Sequence, residues 1–213
     1  MAALLTPNRT ATPEANPPRK LTWEEFLDWC DEDTRAEWNN GEVILMTSPV
    51  SIQHQTLSGF LYKALDTFNE SRDLGLFLTA PIQMRLSKSP KSREPDLIFI
   101  NKSHLSRVHD TFVDSPVDLV VEILSPESIA RDRGEKFIEY ESEGIPEYWL
   151  FDPLRKRAEF YQLDDEGRYQ QIAVASDGIY RSRAVPGFWL KVSWLWQSPL
   201  PRLVEVLKEL GVG

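Results

Sequence analysis

Two short apolar runs in this chain each carry a carboxylate that a buried strand ordinarily avoids. Glu94-Pro95-Asp96-Leu97-Ile98-Phe99-Ile100 opens on Asp96 after its proline, and Val117-Asp118-Leu119-Val120-Val121-Glu122-Ile123-Leu124 holds Glu122 in its interior. Apolar, β-branched runs bounded by turn residues read as strands buried on both faces. A carboxylate there is destabilising unless it is paired or bound to a cation. If the two strands are neighbours, Asp96 and Glu122 converge on one hard cation, and a metal-dependent site is expected.

The 213 residues suffice for one substantial core, and 41% hydrophobic content argues against wholesale disorder. No apolar run approaches the roughly 20 residues of a membrane span, and no basic region followed by an apolar core opens the chain. Cys30 is the sole cysteine, so no internal disulfide forms and a cytoplasmic setting is expected. The net charge of −9 counts against a protein that coats nucleic acid through general attraction. The charge is uneven, however: from Met84 to His109, Arg85, Lys88, Lys91, Arg93, Lys102 and Arg107 outnumber Glu94 and Asp96, with His104 and His109 beside them. This segment reads either as a solvated face or as a backbone-binding surface around the first acid.

Residues 1–20, with Pro7, Pro13, Pro17 and Pro18, read as a disordered tail. Thr22 with Glu25 has the form of a capping box, so a short helix starts there. Asn40-Gly41 between strand-like residues is a hairpin signal. Leu57, Phe60, Leu61, Ala64, Leu65 and Phe68 have the spacing of an amphipathic helix over Ile52 to Phe68. Strands are expected over Leu76 to Leu86, Pro95 to Ile100, the Glu122 run and Glu147 to Asp152, with a helix from Ser128 to Glu143 that ends at Gly144. His104 to Asp110 reads as a helical turn or a loop. Further strands are expected over Ala158 to Leu163, Tyr169 to Ala175 and Gly178 to Val192, then a helix over Leu200 to Leu210. The order describes a mixed α/β layer architecture with added hairpins.

In the helix after Glu122, Asp132, Lys136 and Tyr140 fall at i, i+4 and i+8 and share one polar face, with Phe137 and Ile138 on an apolar side. A short connection would bring Lys136 over the two carboxylates. Asp96 and Glu122, with waters and a backbone carbonyl, would complete an octahedral Mg²⁺ or Mn²⁺. The metal would generate a nucleophile from water, and Lys136 would orient that water or neutralise phosphate charge. The implied chemistry is in-line hydrolysis of a phosphodiester.

Glu94-Pro95-Asp96, Val121-Glu122-Ile123-Leu124-Ser125-Pro126, Asp132 with Lys136 and Tyr140, and Gly144-Ile145-Pro146-Glu147-Tyr148-Trp149-Leu150-Phe151-Asp152-Pro153 together resemble the Uma-two family of endonucleases, within the PD-(D/E)XK superfamily and abundant in cyanobacteria. The Leu21 to Phe26 entry, the Asn40-Gly41-Glu42 hairpin and His54 match that layout, and the resemblance covers about residues 21–192. It implies a restriction-endonuclease-like mixed sheet core flanked by helices, as a single domain over residues 21–213. The superfamily pattern places a lysine at position 124, where this chain has leucine; the resemblance implies that Lys136 takes its place. Ala36 stands where the family often has tyrosine.

Other residues keep two readings. Glu37 and Glu42 flank the hairpin as surface charges, or one of them joins the metal ligands. His54 is an idle polar residue at a helix start or approaches the metal. Tyr140 reads as a half-buried packing residue with a wet hydroxyl in preference to a catalyst. Trp189, Trp194 and Trp196 read as core or oligomer interface before base-stacking platforms. The expected function is metal-dependent cleavage of DNA by Asp96, Glu122 and Lys136, with the basic segment, Arg131 and Arg133 holding the backbone. A homodimer would suit two-strand cleavage. The alternatives are a catalytically silent nuclease fold that binds nucleic acid or regulates, and a hydrolase of a small phosphorylated molecule.

Overall fold

A computed structural model describes residues 20–31, 34–46, 49–126 and 128–212. Apart from Lys20, the expected tail lies outside the described residues. Helix α1 (Trp23–Trp29) begins with the reciprocal cap read from the sequence: Glu25 N donates to Thr22 Oγ1 at 3.2 Å and Thr22 N to Glu25 Oε2 at 2.9 Å. Strands β1 (Ala36–Asn39) and β2 (Glu42–Leu45) form the expected hairpin. Asn40 and Gly41 both adopt positive φ, 48° and 91°, as this two-residue turn requires. Helix α2 (Ile52–Glu70) buries the stripe from Leu57 to Phe68.

The chain continues through β3 (Gly75–Thr79), β4 (Gln83–Arg85), β5 (Ser92–Arg93), β6 (Leu97–Asn101), a 3₁₀ turn at Lys102–Arg107, β7 (Phe112–Asp114) and β8 (Leu119–Ile123). Helices α3 (Ile129–Arg133) and α4 (Glu135–Glu143) lead to β9 (Glu147–Asp152), β10 (Arg157–Leu163) and β11 (Tyr169–Gln171). A second hairpin, β12 (Ile179–Arg181) with β13 (Trp189–Lys191), occupies the segment expected as a single strand, and α5 (Leu203–Glu209) follows. The main sheet has the order β11-β10-β9-β8-β6-β3. All its pairs are antiparallel except β8–β9, whose crossover is α3–α4. The result is the mixed sheet flanked by helices that the sequence implied.

Alternation along β8 divides the core in two. Leu119, Val121 and Ile123 face α2, α5 and Trp149, whereas Val120 and Leu124 face the side covered by Tyr140, Ile145 and Tyr148. Leu97 pairs with Val121 across β6 and β8, so Asp96 and Glu122 fall opposite each other on this second side. The Leu76 to Leu86 run is two strands, not one. β3 ends before Ala80-Pro81, where proline offers no N–H to a ladder, and β4 joins a separate sheet of order β5-β4-β7. Trp194 lies in the core, with Trp189 and Trp196 packed against it. Among the described residues no helix is long and apolar enough to cross a membrane.

The helix expected over Ser128 to Glu143 is also divided, at Gly134, whose backbone (φ −110°, ψ −90°) leaves the helical region. A Cβ there would sit 2.7 Å from the Ala130 carbonyl oxygen, so the break is built around the missing side chain. The polar face turns inward: Asp132, Lys136 and Tyr140 are all buried, while Ile138 is exposed and Phe137 packs among Tyr148, Tyr161 and Tyr169. Gly134→Ala is therefore expected to destabilise the fold by about 1–3 kcal/mol through that clash. Urea unfolding checks it; a variant as stable as the parent would show that the break is set elsewhere.

Candidate functional site

Asp96 and Glu122 sit at the ends of adjacent strands, beside a cavity of about 190 Å³ that Arg35, Glu94, Arg131 and Lys136 also line. Asp96 Oδ2 accepts from the Ile123 backbone N–H at 2.7 Å, which pins it across the sheet. His54 Nε2 lies 3.2 Å from the same carboxylate. The N-terminal turn of α2, capped by Ser51, delivers that ring. Its Nδ1 is buried with no partner among the described residues. Burial pushes the His54 pKa down, but the Asp96 hydrogen bond and charge outweigh it and raise it.

Glu122 is 3% exposed. Its Oε1 accepts from Lys136 Nζ at 2.7 Å and from Tyr140 Oη at 2.9 Å. Lys136 Nζ also stands 3.2 Å from Asp132 Oδ1 and 3.8 Å from Glu37 Oε1, so one ammonium serves three carboxyl groups. Burial, aided by Asp132 and Asp96, outweighs that lysine and pushes the Glu122 carboxyl up to about 8. Lys136 is held above its ordinary value, since its carboxylate neighbours outweigh burial. Tyr140 is fully buried and gives its hydroxyl to Glu122, in contrast to the half-buried packing residue expected.

Glu37 is fully buried and is no surface hairpin charge. It accepts from Arg93 Nη1 at 2.8 Å and lies 3.9 Å from Arg131 Nη1. Lys136, Arg93 and Arg131 overcome its burial and hold its carboxyl below the ordinary value. Glu42 is exposed, pairs with Lys20 at 3.8 Å and does not reach the cavity.

Two cleft residues were absent from the sequence-derived site. Arg35 donates from Nε and Nη2 to Glu94 Oε1 at 2.8 and 2.6 Å. Glu94 Oε2 is buried with no hydrogen-bond partner among the described residues, and burial, outweighing Arg35, raises its carboxyl. The signal for Glu94 was its place before Pro95-Asp96; Arg35 gave none. The basic segment is largely consumed internally. Arg93 is 1% exposed between Glu37 and Glu139, Arg85 pairs with Asp114, Lys91 with Glu139 and Lys102 with Asp73. Arg133 pairs with Glu159 at 2.5 Å. Only Arg131 of the expected backbone-binding residues lines the cavity.

A family model, Uma2, described as "Putative restriction endonuclease", matches residues 23–193. The chain belongs to the Uma2 family. Among solved structures it is similar to the protein titled as a putative nuclease belonging to DUF820 from Anabaena variabilis ATCC 29413. That likeness has a TM-score of 0.66 at 16% identity, covers 83% of this chain and 97% of the other, and shows the fold. No curated protein sequence matches the chain.

The donors of this Uma2 cleft suit a hard cation. Asp96 and Glu122 offer carboxylate oxygens, and the unpartnered Glu94 Oε2 lines the same cavity. Among the described residues no three His, Cys, Asp or Glu side chains are grouped to hold a metal by themselves. That is compatible with Mg²⁺, which keeps several waters and takes one or two protein carboxylates. The raised Glu122 follows first from its burial, with Asp132 and Asp96 adding to it against the one lysine. Lys136→Met is expected to destabilise the fold by about 3–5 kcal/mol at alkaline pH, where Glu122 is ionised and would have no cation. Below about 8 Glu122 carries its proton. The deficit should then be smallest at acid pH and widen as pH rises through that value. Denaturant unfolding across pH reads it, and a pH-independent deficit would contradict the assignment of the proton to Glu122.

Proposed function

We propose that this Uma2 protein is a divalent-metal-dependent endonuclease that hydrolyses DNA phosphodiester bonds. The observation that carries the reading is the opposition of Asp96 and Glu122 on neighbouring strands, with Lys136 Nζ 2.7 Å from Glu122. Asp96 and Glu122 would hold a Mg²⁺ or Mn²⁺ ion, which would supply Lewis-acid charge for the phosphate and activate water at neutral pH. Lys136 keeps its proton and offers an N–H donor where the attacked phosphate gathers charge. Tyr140 and His54 are positioning residues: the first fixes the Glu122 carboxyl, the second the Asp96 carboxyl. Glu37 and Asp132 hold Lys136 in turn.

The phosphate reaches the cleft past Arg131. Among the described residues its Nε is buried without a partner, and its other nitrogens reach only Met46 Sδ and Glu37 Oε2, each at 3.9 Å. A guanidinium left so poorly satisfied beside a carboxylate pair is suited to bidentate phosphate contact. The substitution of leucine at position 124 is met by α4, which carries its lysine over the ends of β6 and β8.

Two outcomes test the reading. Supercoiled plasmid, linear duplex and single-stranded DNA are to be cleaved with Mg²⁺ or Mn²⁺ by the wild type, and at least about a hundredfold more slowly by Asp96→Asn and Glu122→Gln. Undiminished cleavage by Glu122→Gln would sink the assignment, and metal-independent binding without turnover would favour a nucleic-acid-binding module. Protons compete with metal for Glu122, so Mn²⁺ affinity should rise as pH climbs toward about 8 and level off above it. Isothermal titration across pH should show this in the wild type and not in Glu122→Gln.

A further inference from the structure

The cavity at Asp96 does not end there. A second chamber of about 320 Å³ adjoins it, and Arg35, Val50, His54 and Asp96 line both. The far wall is one face of α2, formed by Gln55, Ser58, Gly59 and Tyr62 at i, i+3, i+4 and i+7, with Thr79 and Pro81 opposite. Its volume lies at the lower end of the roughly 300–1,000 Å³ typical of small-ligand sites. Apart from the residues it shares with the first chamber, the lining is uncharged, with Gln55, Ser58, Tyr62 and Thr79 as its hydrogen-bonding side chains. Among the described residues, the side chains of Gln55 and Thr79 form no hydrogen bond within the fold.

Gly59 is the informative residue. It lies in the middle of a 19-residue helix, where glycine weakens the element it belongs to. Packing does not call for it: a Cβ at this position would meet no atom within 4 Å. The backbone there needs no positive φ. A helix-interior glycine with neither steric nor conformational need, on the wall of a chamber that opens onto a carboxylate site, leaves space for something outside the fold.

We propose that the second chamber receives one nucleoside of the substrate strand, the one next to the phosphate held at Asp96 and Glu122. This rests on the nuclease reading above for the identity of the strand. The base and sugar would lie along the α2 face at Gly59, with Gln55, Ser58 and Thr79 as hydrogen-bonding groups and the Tyr62 ring as a contact surface. His54 and Asp96, common to both chambers, mark where the strand crosses from phosphate to nucleoside. A chamber of this size matches one nucleoside, and the proposal is accordingly for a strand unpaired at that position.

The test is binding of a short fluorescein-labelled single-stranded DNA to the full chain, read by anisotropy in the presence of Ca²⁺, for wild type, Gly59→Ala and Gly59→Leu. Both variants put their side chains into open space, so thermal midpoints at or above that of the wild type are expected. Affinity should fall with side-chain size, by about tenfold or more for Gly59→Leu. Gly59→Ala serves where leucine disturbs the helix, and a folded alanine variant with measurably weaker binding supports the proposal. Folded variants that both bind as the wild type does overturn it. Plasmid cleavage by the wild type keeps the two readings apart. Cleavage present with binding insensitive to residue 59 removes the chamber and leaves the nuclease. Cleavage absent with binding weakened at residue 59 removes the nuclease and leaves the chamber.

Discussion

The ammonium of Lys136 is the charge on which the cleft is organised. It is 2% exposed and lies within 4 Å of carboxyl oxygens from Glu122, Asp132 and Glu37, which arrive from β8, α3 and β1. Buried charges are tolerated only when compensated, and one cation cannot compensate three anions. The imbalance resolves unequally. Glu37, with Arg93 and Arg131 as additional partners, is held ionised, while burial, with Asp132 and Asp96 adding to it, pushes Glu122 toward its protonated form. Two glutamates that share one lysine thus take opposite directions, the condition under which carboxyl groups acquire different tasks.

Arg93 carries this arrangement outward. Its guanidinium joins Glu37 on the N-terminal hairpin to Glu139 on α4, and Lys91 adds a second contact to Glu139. The hairpin packs through Trp38 on Trp23 of α1 and pairs with neither edge of the main sheet. Buried ion pairs of this kind are a weak source of net stability but enforce a particular juxtaposition of elements. Here the juxtaposition is that of β1 with the helix that carries Lys136 and Tyr140.

The sheet and the heart of the site were legible because they depend on local signals. Apolar runs with one carboxylate each marked β6 and β8, and the i, i+4, i+8 row named the residues of the helical side. The short connection after β8 already set Lys136 over the carboxylates; the full burial of the row and the exposure of Ile138 were not legible. A polar helix face ordinarily points to water; this one points inward because Glu122 waits beneath it, and Ile138 is left outside. The burial of Glu37 and the place of Arg35 escaped because their partners lie 56 and 59 residues away, a relation no spacing rule detects. The division of the helix at Gly134 escaped for another reason: a single glycine in a polar segment is no stop signal until a carbonyl 2.7 Å from its absent Cβ makes it one.

The internal pairing of the basic segment also bears on how fast a polyanion can arrive. Arg85, Lys91, Arg93 and Lys102 are matched to Asp114, Glu139, Glu37 and Asp73, so the charges that would project a field into solvent are spent within the molecule. What remains at long range is the field of a chain with net charge −9, which repels nucleic acid. Encounter of the proposed nuclease with its strand would then be unassisted, nearer the roughly 10⁵–10⁶ M⁻¹s⁻¹ of neutral partners than the 10⁸–10⁹ M⁻¹s⁻¹ of steered ones. Moderate salt would shorten the reach of that repulsion before it weakened contacts inside the cleft. For the proposed nuclease, capture would therefore be slow and discriminating, governed by what fits the cleft once the strand is there.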